Sequence, residues 1–269
     1  MPETSLLGFK ISADGVKTDP EKVEAVARFP RPKSLTELRA FIGLISFYRR
    51  FIPGFSTITA PLYELFRKDR EFRWDKTHQA AFNDLKRKLS TAPILARPNL
   101  ARDAPPFILY TDACKTGLGA ILQQKGKDGK ERVILYASRG TRRPAEPNYG
   151  ATKLECLAVV WAVQKLRYYL AGRKFEVVTD HVALKWLMKM KDPIGLYARW
   201  ITILQEYDMT ITYRPGRQHK NVDAISRIPR PLKEEESEEV NEDRKHAYWD
   251  YISTKIKSRE LGPRQQRIQ

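Results

Sequence analysis

What this sequence has little of narrows its reading before any motif is considered. It contains only two cysteines, Cys114 and Cys156, in 269 residues. That excludes a disulfide-stapled secreted scaffold, fits a reducing compartment, and rules out a zinc site built from cysteine alone. No apolar run approaches the roughly 20 residues a membrane-spanning helix needs, and the N-terminus lacks the charged-then-apolar order of a signal peptide. The expectation is a soluble, intracellular chain with no membrane partner, with cytoplasm and nucleus not distinguished. Acidic side chains are also in deficit, 32 against 49 basic, for a net charge of +17. The deficit is local: residues 228–269 hold nine of each sign, so the whole excess sits in residues 1–227. Such a field favours polyanions, nucleic acid ahead of an anionic membrane surface. With 42% hydrophobic and 10% aromatic residues the chain has enough apolar material for one or two cored domains.

What is present divides into two textures. Residues 1–18 read as a hairpin around "ADG" at the edge of the molecule, with nothing obvious to pair with. Residues 19–95 read as mainly helical. Asp19 before Pro20 and Glu21 marks one helix start, "PRP" at 30–32 stops that helix, and Ser34 with Glu37 forms a capping-box pattern ahead of another. Further helical spacing covers about 57–67 and 77–90, with "EFRW" at 71–74 extended between them. From 106 the pattern changes to short strands at 107–112, 117–124 and 131–139. There follow a long helix over about 152–170, a strand at 174–180, helices near 182 and 195–206, a strand at 209–214 and a short helix at 221–227. That order implies an α/β layer architecture with a mixed sheet. After Arg227 the Pro-flanked, acid-rich text through Asp243 reads as a solvated linker, giving an expected tail of 228–269.

Four acids stand in unusual settings. Asp112 and Asp180 each end an apolar strand, in "FILYTD" and "FEVVTD"; Glu155 lies early in the long helix; Asp223 opens the last short one. Any one of them taken singly is as readily a turn residue or helix cap. If the two strands are parallel neighbours, both aspartates reach one rim of the sheet, and a packed helix can add the glutamate. Four clustered carboxylates cannot all ionise unaided, so the grouping makes sense as a cage for divalent cations. Oxygen-only ligation favours magnesium or manganese over zinc. Two such ions about 4 Å apart would serve an in-line phosphoryl displacement, which together with the basic body points to a nuclease.

The segments "LYTDACKTGLGAIL", "YASRGTRRPAEPNYGATKLECLAVVWAVQKLRYYLAGRKFEVVTDHVALKWL", "LQEYDMTITYRPG" and "HKNVDAISR" closely resemble the RNase H domain of gypsy-type long-terminal-repeat retrotransposon polyproteins. Upstream, "LLGFKISADGVKTDPEKVEAVARFPRPKSLTELRAFIGLISFYRRFIPGFSTITAPLYELFRKDREFRW" and the text that follows it look like the primer-grip, thumb and connection region of the same reverse transcriptase. The resemblance implies a primer-grip remnant at 1–18, a helical thumb/connection at 19–95, and an RNase H-like five-stranded mixed sheet with flanking helices at 105–227. It implies that Asp112, Glu155, Asp180 and Asp223 are catalytic ligands for two Mg2+ ions, with Mn2+ an alternative. The activity implied is cutting of the RNA strand of an RNA:DNA hybrid, its partner, with RNA told from DNA by 2′-hydroxyls. Where cellular relatives carry a mobile histidine this sequence has Tyr213. His219 is read as a surface or phosphate contact, and His181 as a neighbour of a ligand. Lys165, Arg167, Arg173, Lys174, Arg49 and Arg50 are expected to meet phosphates. Trp161, Tyr168 and Tyr169 are read as core ahead of base stacking. No "DD" pair of the kind a polymerase palm carries occurs, so the chain alone is not expected to polymerise DNA. A nucleic-acid-binding relic without catalysis is the alternative, and the oligomeric state is open, a dimer included.

Overall fold

The computed structural model describes residues 3–67, 71–141, 145–179 and 183–213, all within one compact unit, Met1–Arg230. A second unit, Pro231–Gln269, lies outside the described residues, as does the short helix expected at 221–227. Three short strands open the chain: β1 (Thr4–Leu6), β2 (Phe9–Ser12) and β3 (Gly15–Thr18), in an antiparallel sheet of order β1-β2-β3. Four helices follow, α1 (Pro20–Ala27), α2 (Leu35–Ser46), α3 (Phe55–Glu64) and α4 (Lys76–Ser90), with a 3-10 turn at Arg49–Phe51.

The helix starts form for the local reasons the sequence advertises. Asp19 accepts from the Glu21 amide at 3.1 Å with Pro20 at the first helical position. Ser34 accepts from the Glu37 amide at 3.2 Å, while the Glu37 carboxylate reaches back to the Lys33 amide at 2.7 Å. At α4, Asp75 and His78 complete a reciprocal capping box that the sequence pattern had not suggested. Residues 71–74 lie between α3 and α4 without helix or strand. The N-terminal sheet is not an isolated edge feature either. Phe9 stacks on Phe47 at 4.8 Å and meets Tyr48 and Phe51 at 5.7 and 5.8 Å, and Val16 exchanges both backbone hydrogen bonds with Leu95. Its aromatic side chain is what anchors the small sheet to the helices.

The second layer system is a five-stranded sheet of order β6-β5-β4-β7-β8, built from β4 (Phe107–Cys114), β5 (Gly117–Lys125), β6 (Glu131–Gly140), β7 (Phe175–Thr179) and β8 (Met209–Tyr213). β4, β5 and β6 run antiparallel, whereas β4, β7 and β8 are parallel. The connections supply α5 (Ala151–Lys165), α6 (Arg167–Leu170), α7 (Ala183–Met188) and α8 (Gly195–Gln205). Alternation along β4 sorts the core: Phe107 and Leu109 join the large cluster with α5, α7 and α8, while Ile108 and Tyr110 join a smaller one with Ile121 and Val178 on the other face. The expected single helix over 152–170 is interrupted at Leu166, which leaves Tyr169 against the core but turns Tyr168 outward, 84% exposed. Among the described residues, no helix is long and apolar enough to cross a membrane.

Two positions test this assembly. Gly15 has φ +142°, and a Cβ there would sit 2.3 Å from the Leu95 carbonyl oxygen; Gly15→Ala is expected to lower stability by about 2 kcal/mol in urea denaturation, from backbone strain and a forced separation of β3 from Leu95. Tyr48, 2% exposed, donates its hydroxyl to the Gly8 carbonyl at 3.0 Å, and burial, helped by the Asp19 carboxylate, pushes its pKa up to about 12. A pKa raised on folding gives stability that is whole below the unfolded value near 10 and is lost as pH climbs towards 12. Alkaline melting curves should therefore fall more steeply between those limits in the native chain than in Tyr48→Phe.

Candidate functional site

Asp112 sits near the C-terminal end of β4, half-buried, in a sheet row that runs Asp112, Gly119, Ser138 across β4, β5 and β6. Its neighbour in the row, Gly119, has no side chain. On the other flank β7 pairs in parallel, Phe107 with Phe175 through Tyr110 with Val178. The offset of that register is the offset that separates Asp112 from Asp180 in the sequence, so the two "TD" pairs belong to strands aligned as the sequence reading required. Thr179, the last described residue of β7, is 1% exposed. Asp180, His181, His219 and Asp223 themselves lie outside the described residues.

Glu155 comes from α5 and is 7% exposed. Its helix begins shortly after Glu146, which is bonded to Arg139 on the last part of β6, so the start of α5 lies at the Asp112 end of the sheet. Asp112 follows Tyr110 on the face away from α5. The two acids therefore share an end of the sheet rather than a face, and a strand terminus is where the sheet no longer separates its sides. Among the described residues no group of three His, Cys, Asp or Glu could hold a metal, two of the four predicted ligands falling outside that set. Next along the helix, burial and the Glu155 carboxylate push the Cys156 thiol up to about 12, so it remains protonated and is neither a thiolate ligand nor a nucleophile.

The predicted phosphate contacts do not gather in one place. Arg49 reaches β6 and donates to the Ser138 carbonyl at 2.9 Å, on the Asp112 row. The Ser56 amide donates to the Ser138 hydroxyl at 2.9 Å, so the start of α3 docks on the same residue. Tyr213, 44% exposed, pairs with Thr179 at that end of the sheet. Arg173 and Lys174 instead precede β7, beside Phe107, about 16 Å of strand from Asp112 at ~3.3 Å per residue, while Lys165 ends α5 and Arg167 opens α6. Arg173 is engaged structurally there, donating to the Leu100 carbonyl at 2.7 Å. Arg50 is half-buried with its Nε, among the described residues, without an acceptor.

One pair escaped the sequence reading. Arg139 donates to both carboxylate oxygens of Glu146, at 2.8 and 3.3 Å, with side-chain exposures of 13% and 5%, and its guanidinium lies 5.9 Å from the Trp161 ring centre. Nothing in a seven-residue separation across a loop signals such a clasp; only the three-dimensional meeting of β6, the 3-10 turn Glu146–Asn148 and α5 creates it. Breaking a buried pair leaves one charge uncompensated, so Arg139→Met should cost about 3 kcal/mol of unfolding free energy, while Arg139→Met combined with Glu146→Met should cost less than Arg139→Met alone.

A family model for the RNase H-like domain found in reverse transcriptase matches residues 103–207. The chain is 38% identical over 227 residues to the retrovirus-related Pol polyprotein from transposon 297 of Drosophila melanogaster, covering 84% of this chain and 21% of that protein. It is 33% identical over 234 residues to the corresponding polyprotein from transposon gypsy of the same organism, covering 82% and 22%. To the transposon Tf2-3 polyprotein of Schizosaccharomyces pombe it is 32% identical over 230 residues, covering 84% and 17%. The chain thus spans about a fifth of the length of the curated relatives it matches. Among solved structures, foamy viral protease-reverse transcriptase in complex with RNA/DNA hybrid aligns with a TM-score of 0.67 at 21% identity, over 89% of this chain and 32% of that one. The same enzyme in complex with dsDNA aligns at 0.66 and 24%, over 80% and 45%.

Proposed function

Since residues 103–207 form an RNase H-like domain of the type found in reverse transcriptase, in a chain homologous over most of its length to retrotransposon Pol polyproteins, we propose that this protein is a divalent-metal-dependent endonuclease that cuts the RNA strand of RNA:DNA hybrids. The observation that carries the reading is the parallel β4–β7 register, whose offset matches the two strand-end aspartates. Glu155, a buried acid entering from α5 at the same end of the sheet, supports it. A buried carboxylate and a half-buried one, with no thiolate available from Cys156, are a donor set that fits a hard cation. Asp112 and Glu155 would hold it, with Asp180 and Asp223 the proposed remaining ligands. Such ions, when bound, supply an activated water and charge stabilisation for the leaving oxygen.

The chain's own residues have separate tasks. Gly119 puts no side chain opposite Asp112, and Arg49, anchored on Ser138, offers a guanidinium to a phosphate near the cutting edge. The helices α1–α4 would grip duplex, as the foamy viral enzyme's complexes with dsDNA and RNA/DNA hybrid encourage for a protein of this fold. The domain limits proposed are 1–18, 19–95, 105–227 and 228–269.

The test is cleavage of a labelled hybrid by the full chain with magnesium and with chelator. RNA should be cut only with the metal, and Asp112→Asn or Glu155→Gln should slow cutting more than about a hundredfold, roughly 3 kcal/mol in the barrier, without loss of hybrid binding. Retained hybrid with intact RNA under both conditions would instead identify a binding relic.

A further inference from the structure

Away from the carboxylates, a cleft of 510 Å3 runs along the outer edge of β6, between the 3-10 turn that carries Arg49, the second half of α5 and the exposed side of α8. Its walls bring together four cations, Arg49, Arg139, Lys165 and Arg199, with two indoles, Trp161 and Trp200. The carboxylate in its lining, Glu146, is already held by both guanidinium nitrogens of Arg139. Lys165 and Arg199 have no carboxylate within ion-pair distance among the described residues, and neither indole N–H is met by an acceptor among them, although Trp200 is only 4% exposed.

The cleft is therefore rich in donors and positive charge, with Gln164, Ser138 and Tyr149 its neutral groups able to accept, and it has aromatic walls. A ligand that satisfies it must bring anionic oxygens together with a flat, acceptor-bearing group. Its size falls within the ~300–1,000 Å3 range of small-molecule sites, which suits one nucleotide, and an unpaired one enters without the unstacking cost of a few kcal/mol that a paired base would bear. Arg49 ties the cleft to the Asp112 row through Ser138, so a strand running off the proposed cutting edge passes its mouth. We propose that this cleft receives an unpaired nucleotide of a single-stranded extension, with phosphate on Arg199, Lys165 and Arg49 and base against Trp161, the part-exposed indole of the two. The inference rests on the nucleic-acid substrate proposed above but needs no catalysis.

The experiment is fluorescence anisotropy of the full chain in chelator, with a labelled blunt RNA:DNA hybrid and the same hybrid carrying a short unpaired thymidine extension. The extended hybrid should bind about tenfold more tightly, the increment of one base stacked on an aromatic ring. Arg199→Glu should abolish that preference. Lys127→Glu, the same charge change on the exposed turn between β5 and β6, should retain it. Equal affinity for the two hybrids, no binding of the extended one, or a preference undiminished in Arg199→Glu would overturn the proposal. So would displacement of the extension by an acidic peptide as effectively as by free oligothymidylate, which would make the cleft a general anion receptor. Failure of the nuclease reading would appear elsewhere, as RNA left intact in magnesium, and would leave this binding difference unaffected.

Discussion

The parallel pairing of β4 with β7 is the constraint on which the candidate site depends. These strands are far apart in the chain, and the intervening hairpin, helix and loop must all be accommodated before they can lie side by side. A one-residue slip would turn the side chains of β7 to the opposite face, so burial of Phe175, Val177 and Val178 fixes the register as firmly as hydrogen bonding does. The chemistry at the strand ends is thus specified by apolar residues several positions upstream. An acid can be tolerated at Asp112 because the four bulky residues before it provide the adhesion that the acid itself cannot.

The helical region is joined to this sheet by contacts at the β6 edge. Ser138 accepts from both Arg49 and the amide of Ser56, and a side chain at Gly117 would meet Thr57 Oγ1 at 3.2 Å. Polar bonds to one serine and a close approach permitted by one glycine make an interface that depends more on fit than on area. It also gives the edge strand β6 partners for groups that would otherwise be open to another chain.

Much of this was legible in the residues. Short apolar runs bounded by Gly and charge clusters located β4 to β8 to within a residue or two, because central strands covered on both faces read as near-continuous apolar text. Capping residues at Asp19 and Ser34 located helix starts for an equally local reason. The matched "TD" endings suggested two strands to compare, their parallel pairing being a condition that the register meets, and the family resemblance supplied which acids to follow. What stayed hidden was set by tertiary contact. Phe9 looks like a strand residue and becomes the anchor of the small sheet. Tyr168 fits a helical stripe and points outward because Leu166 breaks the helix. Arg173 also holds a backbone segment, donating to the Leu100 carbonyl. The Arg139–Glu146 clasp joins elements whose meeting no local pattern encodes.

That last kind of contact recurs in the stretch between α4 and β4. Gln124, 5% exposed, donates to the carbonyls of Asn99 and Pro105 and accepts from the Asn99 amide, while Arg173 takes the Leu100 carbonyl from the other side of the sheet's end. A connector fastened at so many points does not act as a swivel. The N-terminal helices and the sheet are thus coupled through this connector, and a strain applied to one is handed to the other rather than absorbed between them.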